Sequence, residues 1–380
     1  MEVVKIPRVL NKEILLLVAL ALGASGVFVF TRRVAARERQ LEAKIAAIWF
    51  ERGVKYMDAG ETDKAIQAFR NATANMADND EYVLALANAL SAENHDAEAE
   101  QFLLRLRESD PENPQININL ARLEAKQGKI QEAVHYYQNA LYGQWPENEA
   151  NQRRQLRIEL VRFLLAHGQL DLATSELLIL QARTPDTAPA HIEIAKLFAE
   201  AGDKQRAMQE YSQAARLDSN NVEALTGAGE MSFQLGDYAK AEQYLKAALE
   251  ANPDSPKTQQ LLSLAEMVRS KDPLLPHLPK AERQDRLLAD FNLSMKRLDS
   301  CLSQMAGSTA SNELESLKSQ ALDVQPKLSD RTHPPDSDAV RSAVALIFKM
   351  EQSASGHCGE PSVEDEALLL IGRQHNGERP

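Results

Sequence analysis

Two stretches that follow one another in the chain decide the fold: HIEIAKLFAEAGDKQRAMQEYSQAARLDSN at residues 191–220 and LTGAGEMSFQLGDYAKAEQYLKAALEANPD at residues 225–254. When the second is laid over the first at an offset of about 34 residues, glycines, other small residues and large side chains coincide. The coinciding pairs are Ala195 and Gly229, Gly202 and Gly236, Ala207 and Ala241, Tyr211 and Leu245, and Ala214 and Ala248. The chain therefore contains an internal repeat.

Each stretch predicts two antiparallel helices of about a dozen residues, because apolar and small residues recur at three- and four-residue spacing on both sides of a Gly-Asp pair. Ala195 and Ala207 are small enough for the two helices to approach closely, and Tyr211 fills the space between them. Gly202 supplies the left-handed conformation that ends the first helix. The repeat unit is therefore a helix hairpin.

This pattern resembles the tetratricopeptide repeat family, since about seven positions agree in two consecutive units without a gap. The resemblance implies an all-α fold, in which about six hairpins stack into a right-handed superhelical solenoid. It also implies a binding role, because the first helices of this family line a concave groove that holds extended peptides or helices.

The same signature recurs along the chain and predicts six repeats. The small second-helix residue recurs as Ala65, Ala99, Ala133, Ala173, Ala207 and Ala241. The turn between the two helices recurs as Gly60, Asn94, Gly128, Gly168, Gly202 and Gly236. The predicted solenoid spans residues 46–255, with repeats at about 46–79, 80–113, 114–147, 154–187, 188–221 and 222–255.

Two kinds of departure from the repeat pattern stand out. Asn117, Arg157 and His191 occupy places where the family usually has a large apolar residue, so looser packing is expected there. Between repeats three and four, LYGQWPENEANQRRQ adds about six residues, either as a longer second helix or as a protruding loop. Trp145 in this insertion is a candidate partner anchor. The alternative is that its indole packs on a neighbouring helix end and fixes the wider step.

Polar residues on the predicted first helices are the peptide-groove candidates: Asn88, Asn119, Arg122, Arg162, Lys196 and Glu230. Their expected neighbours on the groove side are Leu84, Ile118, Lys126, Ile158, Ile192 and Thr226. Arg122, Arg162 and Lys196 hold equivalent places in successive repeats, which predicts a basic ladder for an acidic partner segment. The alternative is an ordinary solvated face.

A subset of the family clamps the carboxylate end of chaperone peptides with lysines, asparagines and an arginine. Asn88 and Asn119 are similar in placement to the asparagines of that clamp, but Leu84, Gln155 and Glu159 stand where its cations would be. The sequence therefore argues against recognition of chaperone tails.

An uncharged segment near the amino terminus predicts one transmembrane helix. The run ILLLVALALGASGVFVF, extended by Thr31, gives a span of residues 14–31 between a short tail, 1–13, and a charged juxtamembrane helix, 32–45. The apolar run continues past the small residues around Ala24 where a leader would be cleaved, so an uncleaved anchor is favoured.

The orientation of that anchor follows from the cations on its two sides, which nearly balance once the amino terminus is counted. Four arginines directly after the span, Arg32, Arg33, Arg37 and Arg39, favour a repeat domain on the cytoplasmic side of a bacterial-type plasma membrane.

Helices also follow the repeats. Residues 256–272 predict a helix that covers the exposed end of the solenoid, and residues 273–380 predict a helical extension with a loose tail. Expected helices in the extension run from Ala281 to Met305, Asn312 to Asp323, Asp338 to Glu351 and Val363 to Ile371.

Composition excludes some functions. The net charge of −12 argues against nucleic acid as a partner, because phosphate binding needs a clustered basic surface. The histidines show no metal-ligand spacing, and the chain has no phosphate-binding loop, dinucleotide turn or serine elbow. The sequence therefore predicts neither an enzyme nor a cofactor.

The only two cysteines, Cys301 and Cys358, lie far apart in sequence and outside the repeats. A disulfide framework is excluded. Free, partly buried thiols are favoured, although a single bridge stays open if the domain faces an oxidising compartment.

These observations lead to one main hypothesis, a membrane-anchored protein that binds other proteins or peptides as a scaffold or assembly factor and contacts the lipid bilayer through its amino-terminal helix. The alternative hypothesis is a secreted or periplasmic structural component whose leader is cleaved.

Overall fold

Helix hairpins of the predicted kind fill the part of the chain that this computed structural model describes, residues 8–146, 149–305 and 311–376. Every regular element within those residues is an α-helix, which confirms the all-α prediction. The chain divides into two units, Met1–Phe163 and Leu164–Pro380, each with its own hydrophobic core.

The first unit contains three hairpins and most of the helix that follows them. The first helix of the first hairpin is the end of a long leading helix. Its helices are α1 (Arg8–Asp58), α2 (Thr62–Asn75), α3 (Asp80–Ala92), α4 (Asp96–Ser109), α5 (Pro114–Lys126), α6 (Ile130–Tyr142) and α7 (Ala150–Ala166), which runs past the division. The carboxyl-terminal part of α1 pairs with α2 and serves as the first helix of the first hairpin.

The second unit contains the later repeats and the extension. Its helices are α8 (Leu170–Gln181), α9 (Ala188–Glu200), α10 (Lys204–Leu217), α11 (Val222–Gln234), α12 (Tyr238–Ala251), α13 (Pro256–Lys271), α14 (Lys280–Gln304), α15 (Ser311–Ser329), α16 (Ser337–His357) and α17 (Val363–Asn376). Its core continues without a break from α12 of the last repeat into the helices of the extension.

The six turns predicted from the repeat pattern all adopt the left-handed conformation. The φ angles are 72° at Gly60, 64° at Asn94, 74° at Gly128, 68° at Gly168, 81° at Gly202 and 77° at Gly236. Asparagine is the residue that most readily replaces glycine in this conformation. Each turn closes with the long Schellman hydrogen bond, as from the Glu61 amide to the Tyr56 carbonyl at 2.8 Å.

Small residues let the two helices of a hairpin touch, as predicted. The second-helix alanines that define the repeat, Ala65, Ala99, Ala133, Ala173, Ala207 and Ala241, are all 0% exposed. In the first hairpin Gly53 serves the same purpose, because a Cβ there would lie 2.4 Å from the Phe69 ring. The two helices of a hairpin can therefore approach closely at these positions.

The three polar departures do not loosen the hairpins, so that expectation is wrong. Asn117 is 0% exposed, and its amide donates to two backbone carbonyls at 2.9 Å. The His191 ring lies 2.6 Å from Glu210, which also accepts a 2.7 Å hydrogen bond from Gln181. Arg157 is buried as well. The hydrogen bonds of the Asn117 amide nitrogen and of Glu210 offset part of the cost of removing these polar groups from water.

The insertion is divided between a loop, as one alternative predicted, and the helix that follows it, whose greater length neither alternative included. Helix α6 ends at Tyr142, after 13 residues. Helix α7 has 17 residues, whereas the first helices α3, α5, α9 and α11 have 13 each. Between them lies a short loop, of which Glu147 and Asn148 fall outside the described residues.

Helix α1 is a single helix of 51 residues that carries the apolar segment directly into the first hairpin. Among the described residues it alone is long and apolar enough to cross a membrane, and none of its apolar window is buried against the rest of the chain. A signal sequence can have the same length and apolar composition. This helix is therefore a candidate membrane span. Residues 1–7 of the predicted tail lie outside the described residues.

Three of the four predicted helices of the extension are longer than predicted. Helix α15 continues through Pro326 to Ser329 where the sequence predicted an end at Asp323, and α16 runs to His357. Helix α17 continues to Asn376, into the tail that was expected to be loose. Residues 306–310 and 377–380 fall outside the described residues.

A disulfide joins Cys301 near the end of α14 to Cys358 directly after α16, with 5.5 Å between the Cα atoms. The expectation of free thiols is therefore wrong, because helix packing brings together two cysteines that are 57 positions apart. Closing a loop of this length stabilises a fold by about 4 kcal/mol in the chain-entropy account.

Buried charges also connect the helices of the extension. Arg297 of α14 lies 3.1 Å from Glu351 of α16 and 2.8 Å from Asp365 of α17. Ser294 donates a 2.6 Å hydrogen bond to the same glutamate, which is 0% exposed. Asp290, also on α14, is 2% exposed, and burial raises its pKa to about 7 although Lys271 lies 3.5 Å away.

Replacing Ala207 by glutamate tests the hairpin packing. The side chain would enter the contact between α9 and α10, so we expect Ala207→Glu to lower the free energy of unfolding by about 3 kcal/mol or more. Gln209→Glu on the exposed side of the same helix is the matched control and should change it by less than about 0.5 kcal/mol. Equal thermal unfolding of the two variants would contradict the repeat register.

We expect Asp290 to make the stability of the extension depend on pH. Its folded pKa is raised from 3.8 to about 7, so its stabilising effect is complete below the unfolded pKa and is lost as the pH rises through about 7. We expect amide protons of α14 to exchange with solvent more readily, at equal intrinsic rates, as the pH rises across this range. Asp290→Asn should flatten that dependence, and an unchanged pH profile in this variant would show that another group is responsible.

Candidate functional site

First helices of successive hairpins present polar side chains at equivalent positions in the first unit. Asn88 on α3, Arg122 on α5 and Arg162 on α7 are all exposed. They project from the same place in each helix because the hairpins repeat with a nearly constant period. These three residues are the exposed groove candidates of the first unit.

Arg122 is held by an ion pair with Glu159 of the next first helix. Its Nε and Nη2 atoms donate to the two carboxylate oxygens at 2.8 and 2.7 Å, which is the two-pronged geometry typical of strong arginine pairs. The Tyr137 hydroxyl donates to the same carboxylate at 2.9 Å. Helices α5, α6 and α7 are therefore connected at one carboxylate.

The surroundings shift the pKa values of two of these groups. Partial burial alone would raise the pKa of Glu159, but hydrogen bonds from Arg122 and Tyr137 outweigh it, and the pKa lies below its usual value. Burial, with Glu159 close by, raises the pKa of Tyr137. Glu159 is therefore ionised and Tyr137 protonated at neutral pH.

The insertion forms one wall of this region. Trp145 is half-buried, and its indole N–H donates to the Ala140 carbonyl at the end of α6, at 2.7 Å. Gly143 lets the loop pass the preceding turn, because a Cβ there would lie 2.4 Å from the Glu112 carbonyl oxygen. The Gln144 side chain donates to the Glu112 carboxylate at 2.7 Å. Trp145 thus packs on a helix end, as one alternative predicted, and also lines a cavity.

A cavity of about 490 Å³ lies between this indole and the Arg122–Glu159 pair. Ile118 and Leu156, which are 6% and 3% exposed, are its apolar lining. Besides these residues, Trp145 and the ion pair, the cavity is lined by four residues with side-chain amides: Gln115, Asn151, Gln152 and Gln155. Amides carry donors and acceptors together, so they can match the alternating N–H and C=O groups of an extended peptide.

The remaining candidates lie apart from this cavity. Asn119 is half-buried, and its amide donates to the Gln115 carbonyl of its own helix at 2.8 Å. In the second unit, Lys196 on α9 pairs with Glu223, and Glu230 on α11 lies 2.6 Å from Lys257. Arg122 and Lys196, two members of the predicted basic ladder, each have a carboxylate partner, so they contribute less net positive charge than the sequence predicts.

Several groove neighbours were misplaced by the sequence pattern. Ile158 and Ile192 are 1% and 6% exposed and belong to the core, so their assignment to the groove is wrong. Ile118 is similarly buried but reaches the cavity. Each of these isoleucines lies one helical turn before an exposed cation, at the edge of the row of buried side chains on its helix. A rotation of the helix by a fraction of a turn decides between core and groove.

Sequence reasoning missed the carboxylate that holds Arg122. Glu159 occupies the position that Asn119 has in the preceding repeat, which places it one helix away from Arg122 on the same side. A search for opposite charges between neighbouring repeats would have found this pair. Among the described residues no cluster of three or more His, Cys, Asp or Glu side chains is arranged to hold a metal ion.

Comparisons with known families agree with the hairpin pattern. Two models described as the tetratricopeptide repeat match the chain, one at residues 158–222 and 192–256 and the other at residues 56–123. No curated protein matches the chain in sequence.

Among solved structures, PilF of Pseudomonas aeruginosa is 18% identical, with 58% of this chain and 98% of that chain covered and a TM-score of 0.40. The type IV pilus biogenesis factor PilW is 21% identical, with 57% and 98% covered and a TM-score of 0.39. The carboxyl-terminal part of a repeat protein from Cytophaga hutchinsonii is 11% identical, with 63% and 92% covered and a TM-score of 0.44.

A double-mutant cycle tests the carboxylate that connects the three helices. The pair is partly exposed, so Arg122→Ala and Glu159→Gln should show a coupling of about 0.5 to 1 kcal/mol in chemical unfolding at neutral pH. Because the folded pKa of Glu159 is lowered, this stabilisation is present above the unfolded pKa and disappears as the pH falls through the folded value.

The matched control is the pair Arg70 and Glu98, which has two hydrogen bonds of 2.9 Å but receives none from a tyrosine. Its coupling should be smaller. A coupling between Arg122 and Glu159 that survives at low pH would contradict the assignment.

Proposed function

Because the chain belongs to the tetratricopeptide repeat family, we propose that it is a membrane-anchored scaffold that binds other proteins through the first helices of its repeats. Members of this family are typically protein-interaction modules rather than enzymes. In this proposal residues 46–255 form the interaction domain, and no residue has a catalytic role.

The cavity beside Trp145 is the observation that carries the proposal. Its side-chain amides offer hydrogen bonds to a peptide backbone, its isoleucine and leucine offer apolar contact, and the indole offers a large flat surface. Indole side chains are frequent at the energetic centre of protein interfaces. An extended segment of a partner protein fits this combination better than a small charged ligand does.

Charged side chains on the first helices influence which partner segments bind. A partner carboxylate that approaches Arg122 must compete with Glu159, so it gains less there than from an unpaired arginine. Arg162 and Lys196 stand at equivalent positions of other first helices, and Lys196 also has a carboxylate partner, Glu223. We therefore expect a partner segment that presents backbone groups and an apolar side chain to the cavity and places acidic residues nearby.

The amino-terminal helix supports the membrane part of the proposal. Residues 14–31 are apolar and exposed wherever their side chains are described, and α1 continues as one helix into the first hairpin. A bilayer would cover this apolar surface, and the rigid helix would hold the repeats close to the membrane. If a leader were removed instead, the mature protein would start near Val27 and lose the anchor.

Charge reversal on the first helices tests the groove. The triple variant Arg122→Glu, Arg162→Glu and Lys196→Glu should capture at least tenfold less partner from solubilised membranes, because repulsion replaces attraction. Capture by the native protein should also weaken as the salt concentration rises. Co-purified proteins are quantified by mass spectrometry, and helical content is checked by circular dichroism.

The matched control is Arg105→Glu, Arg216→Glu and Lys240→Glu, which changes the net charge equally but at exposed positions of second helices. This control should capture the native set of partners. If both triple variants lose the same partners, net charge rather than the groove is responsible. If neither loses them, the groove proposal fails.

A further inference from the structure

The disulfide between Cys301 and Cys358 carries information about where the protein resides. Cys301 is 1% exposed and lies in the shared core of the second unit, and Cys358 packs against the same core. The two cysteines are the only ones in the chain, so neither has another intramolecular partner. Their spacing differs from the Cys-X-X-Cys pattern of redox-active pairs, so the bond is a structural one.

Such a bond forms only where an oxidant is present. The two thiols lose two protons and two electrons as the sulfur–sulfur bond forms, and the disulfide of a thiol oxidoreductase accepts them and leaves as a dithiol. In the cytosol the thiol pools drive this exchange in the opposite direction. A structural disulfide therefore marks a domain that folds in an oxidising compartment.

Because of where the candidate span lies, the repeats must be in the same compartment as the disulfide. Among the described residues the only candidate span lies in α1, ahead of every hairpin. The hairpins and the disulfide-bonded helices both follow it, so they lie on the same side of the membrane. The cations do not oppose this placement strongly, because Lys5, Arg8 and Lys12 precede the span and four arginines follow it.

We infer that the repeats and the extension lie on the oxidising side of the membrane, with the amino terminus in the cytoplasm. This orientation is opposite to the one that the arginines after the span favour. Resting on the proposed function, the inference also names the partner class: exported proteins, or segments of membrane proteins that face the oxidising side. Cytoplasmic proteins are excluded as physiological partners of the groove.

Thiol trapping in cells that express the full chain tests the inference. Cells with an oxidising periplasm are quenched in acid, the protein is unfolded and free thiols are blocked with N-ethylmaleimide. The sample is then reduced and treated with a maleimide mass tag. We expect two tags on each chain, and none when reduction is omitted. The variant Cys301→Ser with Cys358→Ser is the control and should acquire no tag.

Two further measurements separate the possible results. A fused alkaline phosphatase at the carboxyl terminus should be active, and the tags should disappear in a host that lacks its periplasmic thiol oxidant. Thiols that are blocked before reduction in the normal host, or a tagged chain with an inactive phosphatase, would overturn the inference.

The amino-terminal mass separates this result from the proposed function. If the chain is cleaved and carries two tags, the repeats lie on the oxidising side, but the proposed membrane anchor is refuted. If the amino terminus is intact and the thiols are blocked, the proposed anchor is supported and the inferred orientation is refuted. No partner takes part in these measurements, so loss of partner capture bears on the groove alone.

Discussion

The structure depends on one steric constraint: where the two helices of a hairpin cross, one side chain has to be no larger than alanine. Ala207 satisfies it in the fifth hairpin, and Gly229 satisfies it in the sixth, where an added Cβ would lie 2.7 Å from Leu245. Close approach of the helices brings many apolar atoms into contact, and the left-handed turns fix where each second helix begins. The repeated hairpin follows from these two requirements.

The row of polar side chains on the first helices is a consequence of the same geometry. Stacked hairpins place first helices next to first helices, so residues at equivalent positions become neighbours although they are one repeat apart in sequence. Arg122 and Glu159 meet in this way, and Tyr137 reaches their carboxylate from the intervening second helix. The insertion then adds Trp145 at the edge, which converts a row of polar side chains into a cavity with an apolar lining.

Local pattern was sufficient to predict the hairpins and their turns, including the one at Asn94, because small residues and left-handed caps leave a direct signature in the sequence. Contacts between elements were not predictable in this way. The pairing of Cys301 with Cys358 depends on how α14 and α16 pack, and the burial of Ile158 depends on a small rotation of its helix. The path of α15 through Pro326 depends on packing that overrides a local helix breaker.

The most direct test of the groove is site-specific photo-crosslinking in intact membranes. A photoreactive phenylalanine analogue at Asn88 or Gln152 occupies an exposed position of a first helix, whereas the same analogue at Gln101 or Gln131 occupies an exposed position of a second helix. The account predicts crosslinks to one set of partner proteins from the first-helix positions and none of that set from the second-helix positions. Equal crosslinking from both sets, or crosslinks from the second helices alone, would contradict it.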